Sequence, residues 1–199
     1  MKKYFFVIVC FFLFVGCGGD SENQKTDMDK NQPLQEMRIV PEIVDRPAFA
    51  VVGMKYRGSN QYGEIAGLWD QFLPRMAEIK NAVRDGAAYG VMDNYTAPAD
   101  SIAGGDTLMG EFDYLAGIEV TSNEDIPEGM EYWEIPEQTY AVFTFPFSKL
   151  IEVYNYALKI WLPESGYEYA DGPEFEYYPP DFGRVEDSEM KYYIPVRKK

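Results

Sequence analysis

The fold of this chain is constrained most by an order of predicted elements that occurs twice between residues 46 and 199. In each occurrence a strand rich in β-branched and aromatic residues precedes an amphipathic helix, and two further strands follow. The first set is PAFAVVGMKYRG (47–58), GEIAGLWDQFLPRMAEIKNAV (63–83), AAYGVMDNY (87–95) and EFDYLAGIEV (111–120), and the second is EQTYAVFTFPF (137–147), KLIEVYNYALKIWL (149–162), EFEYYPPDF (174–182) and MKYYIPVRK (190–198). Two β-α-β-β units in series predict an α+β domain with antiparallel strands and both helices packed on the sheet.

Both predicted helices carry one apolar stripe at helical spacing. Trp69 lies on the first stripe and Trp161 on the second, where packing in the core and a place in a pocket wall are both compatible with the pattern. Pro74 removes a backbone donor inside the first pattern, so we expect the first helix to kink or split there.

The first 17 residues, MKKYFFVIVCFFLFVGC, have the layout of an export signal. Two lysines precede an apolar run that is short for a membrane span, and the run ends at Gly16 and Cys17. This pattern predicts a signal peptide over residues 1–16, lipidation of Cys17 and a polar, flexible tether over 17–45. The protein is then expected in the cell envelope, anchored by lipid to a membrane, with the outer membrane favoured; an uncleaved signal anchor is the alternative.

Composition excludes several kinds of chemistry. The chain has no histidine, and its two cysteines are Cys10 in the predicted signal and Cys17 at the predicted lipid site. Histidine-dependent nucleophilic catalysis, histidine metal sites and an intrachain disulfide are therefore excluded, and we expect neither a metal nor a cofactor. The whole chain has 18 Lys and Arg and 33 Asp and Glu; without the two lysines of the signal, about 16 basic residues face the 33 acids, which gives a net charge of about −17. Such a surface repels phosphate backbones, so no nucleic-acid partner is expected.

Superimposing the two units places an acid opposite an empty position. The segment YGVMDNY aligns with FEYYPPDF, so that Gly90 matches Glu176. A groove between the two halves would then have a carboxylate on one wall and space on the other. Glu174 and Tyr178 share the face of Glu176 because side chains alternate along a strand. Glu174 is expected in water beside the turn; for Glu176 itself the alternative is an exposed acid on an edge strand.

Three segments resemble the gyrase-inhibitor-like, or AraC effector-binding, family of small-molecule-binding domains. They are FDYLAGIEV (112–120), FEYYPPDF (175–182) and YYIPVRK (192–198), in that order. The resemblance implies a curved antiparallel sheet with two helices, an SHS2-like duplication, and a central ligand cavity in a domain that spans 46–199. The DNA-binding helices of regulator members are not found in this sequence, so transcriptional regulation is not carried over.

The resemblance also implies roles for particular residues. Multidrug-sensing members bind cationic amphipathic compounds through a buried glutamate ringed by aromatics, and Glu176 falls at that position. Tyr193 matches an aromatic lining position in the last strand, and Lys191 stands where many members carry an acid. Some stand-alone relatives are similar to hydrolases that use the glutamate with a Tyr or Trp.

These observations predict a membrane-anchored protein that binds a small hydrophobic or cationic molecule in an aromatic pocket. The expected ligand-binding residues are Glu176, Tyr178, Tyr193, Gly90, Trp69, Trp161 and Trp133. Trp133 is as compatible with a loop anchor as with the mouth of the cavity. The first alternative is a small-molecule hydrolase in which Glu176 is the catalytic base or nucleophile. The second is a structural or partner-binding envelope protein, which needs no cavity.

Replacement of Cys17 by Ser tests the anchor. Because only the Cys17 thiol can accept the lipid, the variant should leave the membrane fraction or accumulate as uncleaved precursor. The measurement is fractionation followed by mass determination. Cys10→Ser, inside the predicted signal, is the matched control and should be processed normally. Unchanged processing and membrane association of Cys17→Ser would show that this cysteine carries no lipid.

Overall fold

One antiparallel sheet forms the core of the computed structural model, which describes residues 38–95, 110–183, 185 and 187–199. These residues belong to one unit, Asn31–Lys199. The predicted signal peptide (1–16) and the predicted lipid site Cys17 lie outside the described residues, as does most of the predicted tether. No helix in the described part of the chain is long and apolar enough to cross a membrane.

Nine strands make up the described sheet structure, and every pairing between them is antiparallel. They are β1 (Glu42–Arg46), β2 (Phe49–Gly58), β3 (Ala88–Asp93), β4 (Phe112–Val120), β5 (Glu131–Ile135), β6 (Gln138–Pro146), β7 (Tyr167–Tyr169), β8 (Glu174–Tyr178) and β9 (Glu189–Lys198). Their spatial order is β1-β6-β9-β8-β3-β4-β2-β5, and β7 pairs with β9. The pairing of β3 with β8 therefore joins the two halves of the chain at the middle of the sheet.

In each half of the chain, one helical segment follows the first long strand. Helix α1 (Glu64–Phe72) ends two residues before Pro74, and the chain continues as a 3-10 helix over Leu73–Glu78. The missing donor of Pro74 explains this change, as the sequence predicts. Helix α2 (Leu150–Tyr156) is preceded by a 3-10 turn (Phe147–Lys149) and continues through a π-helical segment (Ala157–Trp161) to a last turn at Leu162–Glu164.

The predicted α+β class, with an antiparallel sheet and two helices, is confirmed. Three short strands, β1, β5 and β7, are additional to the prediction. β1 overlaps the last residues of the segment 17–45, where a tether is predicted, and it extends one residue beyond that segment. It pairs with β6. Its sequence, EIVDR, is short and half polar, so its extended form depends on its neighbour strand more than on its own pattern.

Alternate residues of the strands face two different clusters. One face, here called the helix-side face, packs on α1 and α2; the opposite face is called the far face. The buried cluster between the helix-side face and the two helices includes Val52, Phe72, Tyr114, Ala116, Phe143, Val153, Tyr192 and Ile194. Buried residues of the far face include Val51, Tyr89, Val91, Leu115, Tyr140, Val142 and Phe175. Neighbours along one strand, such as Phe175 and Glu176, thus occupy opposite sides of the sheet.

Arg46 ties β1 to the far face. Its guanidinium carbon lies 4.0 Å from the ring centre of Phe49, and the rings of Tyr89, Phe175 and Tyr193 lie within 6 Å. Its Nη2 donates to Glu119 Oε2 and to Tyr89 Oη, both at 3.1 Å. A planar guanidinium stacks on rings while it donates at its edge, which an ammonium group cannot do as well.

Replacement of Arg46 by Ala should lower the free energy of unfolding by about 2 kcal/mol, because it removes ring contacts and leaves Glu119 without its cation. The matched control is Arg197→Ala, which breaks an exposed ion pair with Glu168; its cost should be below about 1 kcal/mol. Urea unfolding followed by circular dichroism gives both values. Equal losses would show that the Arg46 cluster adds no more than a surface ion pair.

Candidate functional site

The centre of the sheet holds a group of polar side chains on the helix-side face. β8 runs between β3 and β9, with Glu176 paired to Gly90 on one side and to Tyr192 on the other. Glu174, Glu176 and Tyr178 alternate along β8 on this face. A central strand offers little access to water, so these carboxylates need hydrogen bonds from the protein.

Glu176 is 8% exposed and is held by two phenol groups. Tyr114 Oη and Tyr178 Oη each donate to Glu176 Oε2 at 2.7 Å. Burial raises the pKa of Glu176 above its ordinary value, and the two hydrogen bonds act in the opposite direction. Burial also raises the pKa of Tyr114 and of Tyr178, so both keep their proton and remain donors.

Trp69 extends this arrangement from helix α1. Its Nε1 donates to Tyr114 Oη at 3.0 Å, and its ring meets Tyr178 edge to face at 5.3 Å. The result is a chain of hydrogen bonds from the indole of Trp69 through Tyr114 to Glu176. Trp69 is thus a partly buried residue of α1 that packs against the core and lies near the buried acid.

Gly90 leaves the space that Tyr114 and Glu176 occupy. A Cβ at this position would lie 2.5 Å from Glu176 Oε2 and closer still to Tyr114 Oη. Any side chain larger than hydrogen would therefore displace the acid or its donor. The role of Gly90 is close approach, since β3 keeps ordinary extended geometry there.

Glu174 is buried, which contradicts the expectation that it is solvated. Only 2% of it is exposed. It accepts hydrogen bonds from Tyr169 Oη at 2.6 Å, from Tyr192 Oη, and from Tyr95 Oη at 3.5 Å. The expectation failed because the turn before β8 leads into the middle of the sheet, where Tyr169 and Tyr95 cover the helix-side face. Burial raises the pKa of Glu174 to about 7, an effect that the hydrogen bonds reduce and the nearby Glu176 increases.

Neither acid has a cationic partner among the described residues. The ion pairs found there involve other carboxylates, such as Asp113 with Arg57 and Glu119 with Arg46. No group of three or more His, Cys, Asp or Glu in the described ranges is arranged to hold a metal ion. The site is thus two buried carboxylates whose donors are neutral tyrosines.

Two of the residues predicted at the site lie on the far face instead. Tyr193 stacks on Phe175 with ring centres 4.3 Å apart, and Trp133 belongs to the same far-face cluster. Because sides alternate along β9, the aromatic that faces Glu174 is Tyr192. Lys191 and Tyr193 are two residues apart on β9 and therefore point to the same face of the sheet, the far face. Lys191 thus does not take the place of an acid beside Glu176.

Trp161 is on the helix-side face, but its ring contacts are Phe143 and Tyr167. The sequence did not identify the tyrosines that hydrogen-bond the two acids from other strands and loops, which are Tyr95, Tyr114, Tyr169 and Tyr192. It also did not predict that Glu174 is buried. The alternation of Met190, Tyr192 and Ile194 as buried residues of β9 is the signal that identifies Tyr192, once the register is known.

A cleft of about 310 Å³ lies beside the β8–β9 connection. Its lining residues are Pro179, Asp181, Phe182, Ser188, Glu189, Met190 and Lys191. The ring of Phe182 lies 4.9 Å from that of Tyr178, which donates to Glu176. Two aromatic rings therefore separate this cleft from the buried acid.

A family model described as Cass2, integron-associated effector binding protein, matches residues 42–196. The transcriptional regulator BrlR of Pseudomonas aeruginosa is 37% identical over 158 residues, which cover 77% of this chain and 54% of BrlR. A DNA gyrase inhibitor of Erwinia billingiae is 33% identical over 93 residues, covering 41% of this chain and 56% of the inhibitor. The chain thus spans about half the length of these curated relatives.

Two solved structures share the fold at low identity. SAV2435 bound to tetraphenylphosphonium has a TM-score of 0.58 and 17% identity, and the match covers 79% of this chain and 93% of SAV2435. EcmrR in a complex with DNA has a TM-score of 0.56 and 14% identity, with 86% of this chain and 62% of EcmrR covered.

The expectation of no nucleic-acid partner is wrong. BrlR is a transcriptional regulator, and EcmrR is seen with DNA. Net charge describes only the matched region, which covers 54% of BrlR and 62% of EcmrR, and it cannot exclude a partner held by another part of such a protein.

The raised pKa of Glu174 predicts a stability that falls with rising pH. The proton is held more tightly in the folded state, so the contribution is complete below about pH 4.5 and is lost as pH rises through about 7. Between pH 4.5 and 8 the free energy of unfolding of the wild type should fall by on the order of 3 kcal/mol more than that of Glu174→Gln. Urea titrations at several pH values measure this difference. Parallel pH profiles would show that Glu174 ionises as freely in the folded protein as in the unfolded one.

Proposed function

Because the chain belongs to the integron-associated effector-binding protein family, we propose that it binds a small cationic or hydrophobic effector at Glu176. The observation that carries this proposal is the environment of that carboxylate. Glu176 is buried, its donors are the neutral phenols of Tyr114 and Tyr178, and no cation among the described residues pairs with it. A positively charged ligand would supply the missing charge.

Physical chemistry favours a cation with an apolar body. Burial disfavours the charged form of Glu176, so an empty site has an acid of raised pKa. A cation that enters favours the ionised form and lowers the pKa again. The ring faces of Trp69 and Tyr178 would add about 0.5–2 kcal/mol of attraction for that cation. A neutral apolar molecule would gain only the burial of its surface.

The ligand of one structural relative supports this class. SAV2435 binds tetraphenylphosphonium, a cation surrounded by four aromatic rings. We take this compound as the probe for the present chain. The cleft beside Phe182 is the approach we assign to it, since Phe182 and Tyr178 lead from the cleft to Glu176.

We further propose that the effector-binding domain is held at a membrane of the cell envelope by a lipid on Cys17, with the outer membrane favoured. The support is the signal-like segment before Cys17 and the polar segment behind it.

We also propose that the two β-α-β-β units arose by duplication. The neighbour order β2-β4-β3 in one half matches β6-β9-β8 in the other, which supports that origin.

A hydrolase is the second candidate, favoured by the hydrogen-bonded chain from Trp69 through Tyr114 to Glu176. These hydrogen bonds place a second polar group, the Tyr114 hydroxyl, beside the glutamate, as a catalytic base or nucleophile requires. Incubation with 4-nitrophenyl acetate separates the two functions. Turnover that is lost in both Glu176→Gln and Tyr114→Phe would identify a hydrolase, whereas a binding protein gives none above the background rate.

Replacement of Glu176 by Gln should weaken tetraphenylphosphonium binding by more than tenfold, or about 1.4 kcal/mol, because the cation loses its charge partner. The fold should be kept or stabilised, since an amide costs less to bury than a carboxylate without a cation. Isothermal titration calorimetry at fixed salt measures both affinities.

Glu164→Gln, an exposed acid on the last helical turn, is the matched control for the change in net charge. It should bind the probe as the wild type does. Equal affinities in all three proteins would mean that the probe does not reach Glu176. Absence of binding to the wild type would contradict the proposed ligand class.

A further inference from the structure

We propose, on the premise of the proposed function, that Glu174 is a second cation-binding residue of the same site and that the preferred ligand is a dication. We take the Cα spacing of residues i and i+2 of a strand, which is about 6–7 Å or twice the rise of about 3.3 Å per residue, as the expected separation of its two positive centres. The ligand class is then narrower than cationic amphipathic compounds in general.

The geometry places both acids in one layer. Glu174 and Glu176 lie on the same face of β8, and they are 2% and 8% exposed. Burial raises the pKa of Tyr95, and the charges of Glu174 and Glu176 raise it further. One ligand lying along β8 would therefore pass over both acids.

The hydroxyl groups around Glu174 can all donate to it when it is ionised. Three tyrosine hydroxyls, from Tyr95, Tyr169 and Tyr192, point at its two oxygens. A carboxylate accepts from all three, whereas a neutral carboxyl group donates to one of them and accepts from the others. Hydrogen bonds to the charged form favour that form. The tyrosines prepare Glu174 to carry a charge that nothing in the described chain neutralises.

A monocation would leave the site unbalanced. If it pairs with Glu176, then Glu174 either remains a buried negative charge or keeps a proton. A dication allows both carboxylates to ionise, and each positive centre meets aromatic rings as well as a carboxylate.

Two contacts are placed to be exchanged for a ligand. Tyr95 Oη lies 3.5 Å from Glu174 Oε2, which is the limit of a hydrogen bond, so an ammonium group could replace it at little cost. At Glu176 both phenols donate to Oε2. Oε1 accepts no hydrogen bond from the described part of the chain and is the oxygen available to the other ammonium group.

The test is a series of straight-chain α,ω-diaminoalkanes from two to eight carbons, with butylamine as the monocation, titrated by calorimetry at pH 8. For the wild type, affinity should peak at four or five carbons and exceed that of butylamine at least tenfold. In Glu174→Gln the ratio of diamine to butylamine affinity should fall below about threefold. Glu174→Asp shortens the acid by one methylene, so its optimum should move to a longer diamine.

The outcomes separate this inference from the function on which it rests. If tetraphenylphosphonium binds in a Glu176-dependent way but the diamines show no advantage over butylamine, the dication inference is overturned and the proposed function stands. Affinity that rises steadily with chain length also overturns it, because burial of methylene groups then explains the trend. If neither tetraphenylphosphonium nor any amine binds, both fail.

Discussion

The antiparallel pairing of β3 with β8 is the contact on which the rest of the molecule depends. It joins two halves that each form their own strand group, β2-β4-β3 and β6-β9-β8. Its register sets Gly90 beside Glu176 and so creates the space in which a carboxylate and the hydroxyl of Tyr114 fit. A shift of one residue would turn Glu176 to the far face, away from the hydroxyl of Tyr114.

The two sides of this central pairing are balanced differently. On the far face, the guanidinium of Arg46 meets Glu119 and several rings, so positive and negative charges are matched. On the helix-side face, Glu174 and Glu176 are matched only by phenol donors in the described chain. Phenols make burial of an acid tolerable without neutralising it. A stable scaffold and an unsatisfied site therefore share the same strands, back to back.

Much of the architecture could be predicted from the sequence, because it follows from short-range periodicity. Examples are the end of α1 before Pro74 and the two strands that contain Gly90 and Glu176. Which of Tyr192 and Tyr193 faces the buried acids could not be predicted, because it depends on the register of β9 against β8 and β6. The burial of Glu174 likewise depends on Tyr95 and Tyr169, which come from distant parts of the chain. Short edge strands such as β1 carry too little pattern to be identified alone.

The position of β3–β8 also bears on how the protein folds. Gly90 and Glu176 come from opposite halves of the chain, so their pairing requires closure of a long loop and belongs with the slow, non-local contacts of a β-rich topology. A chain in which only one half has formed has either the acid or its Tyr114 and Trp69 partners, never both. The site exists only in the fully assembled sheet. A ligand that binds it therefore stabilises the native state as a whole and adds its binding free energy to that of folding.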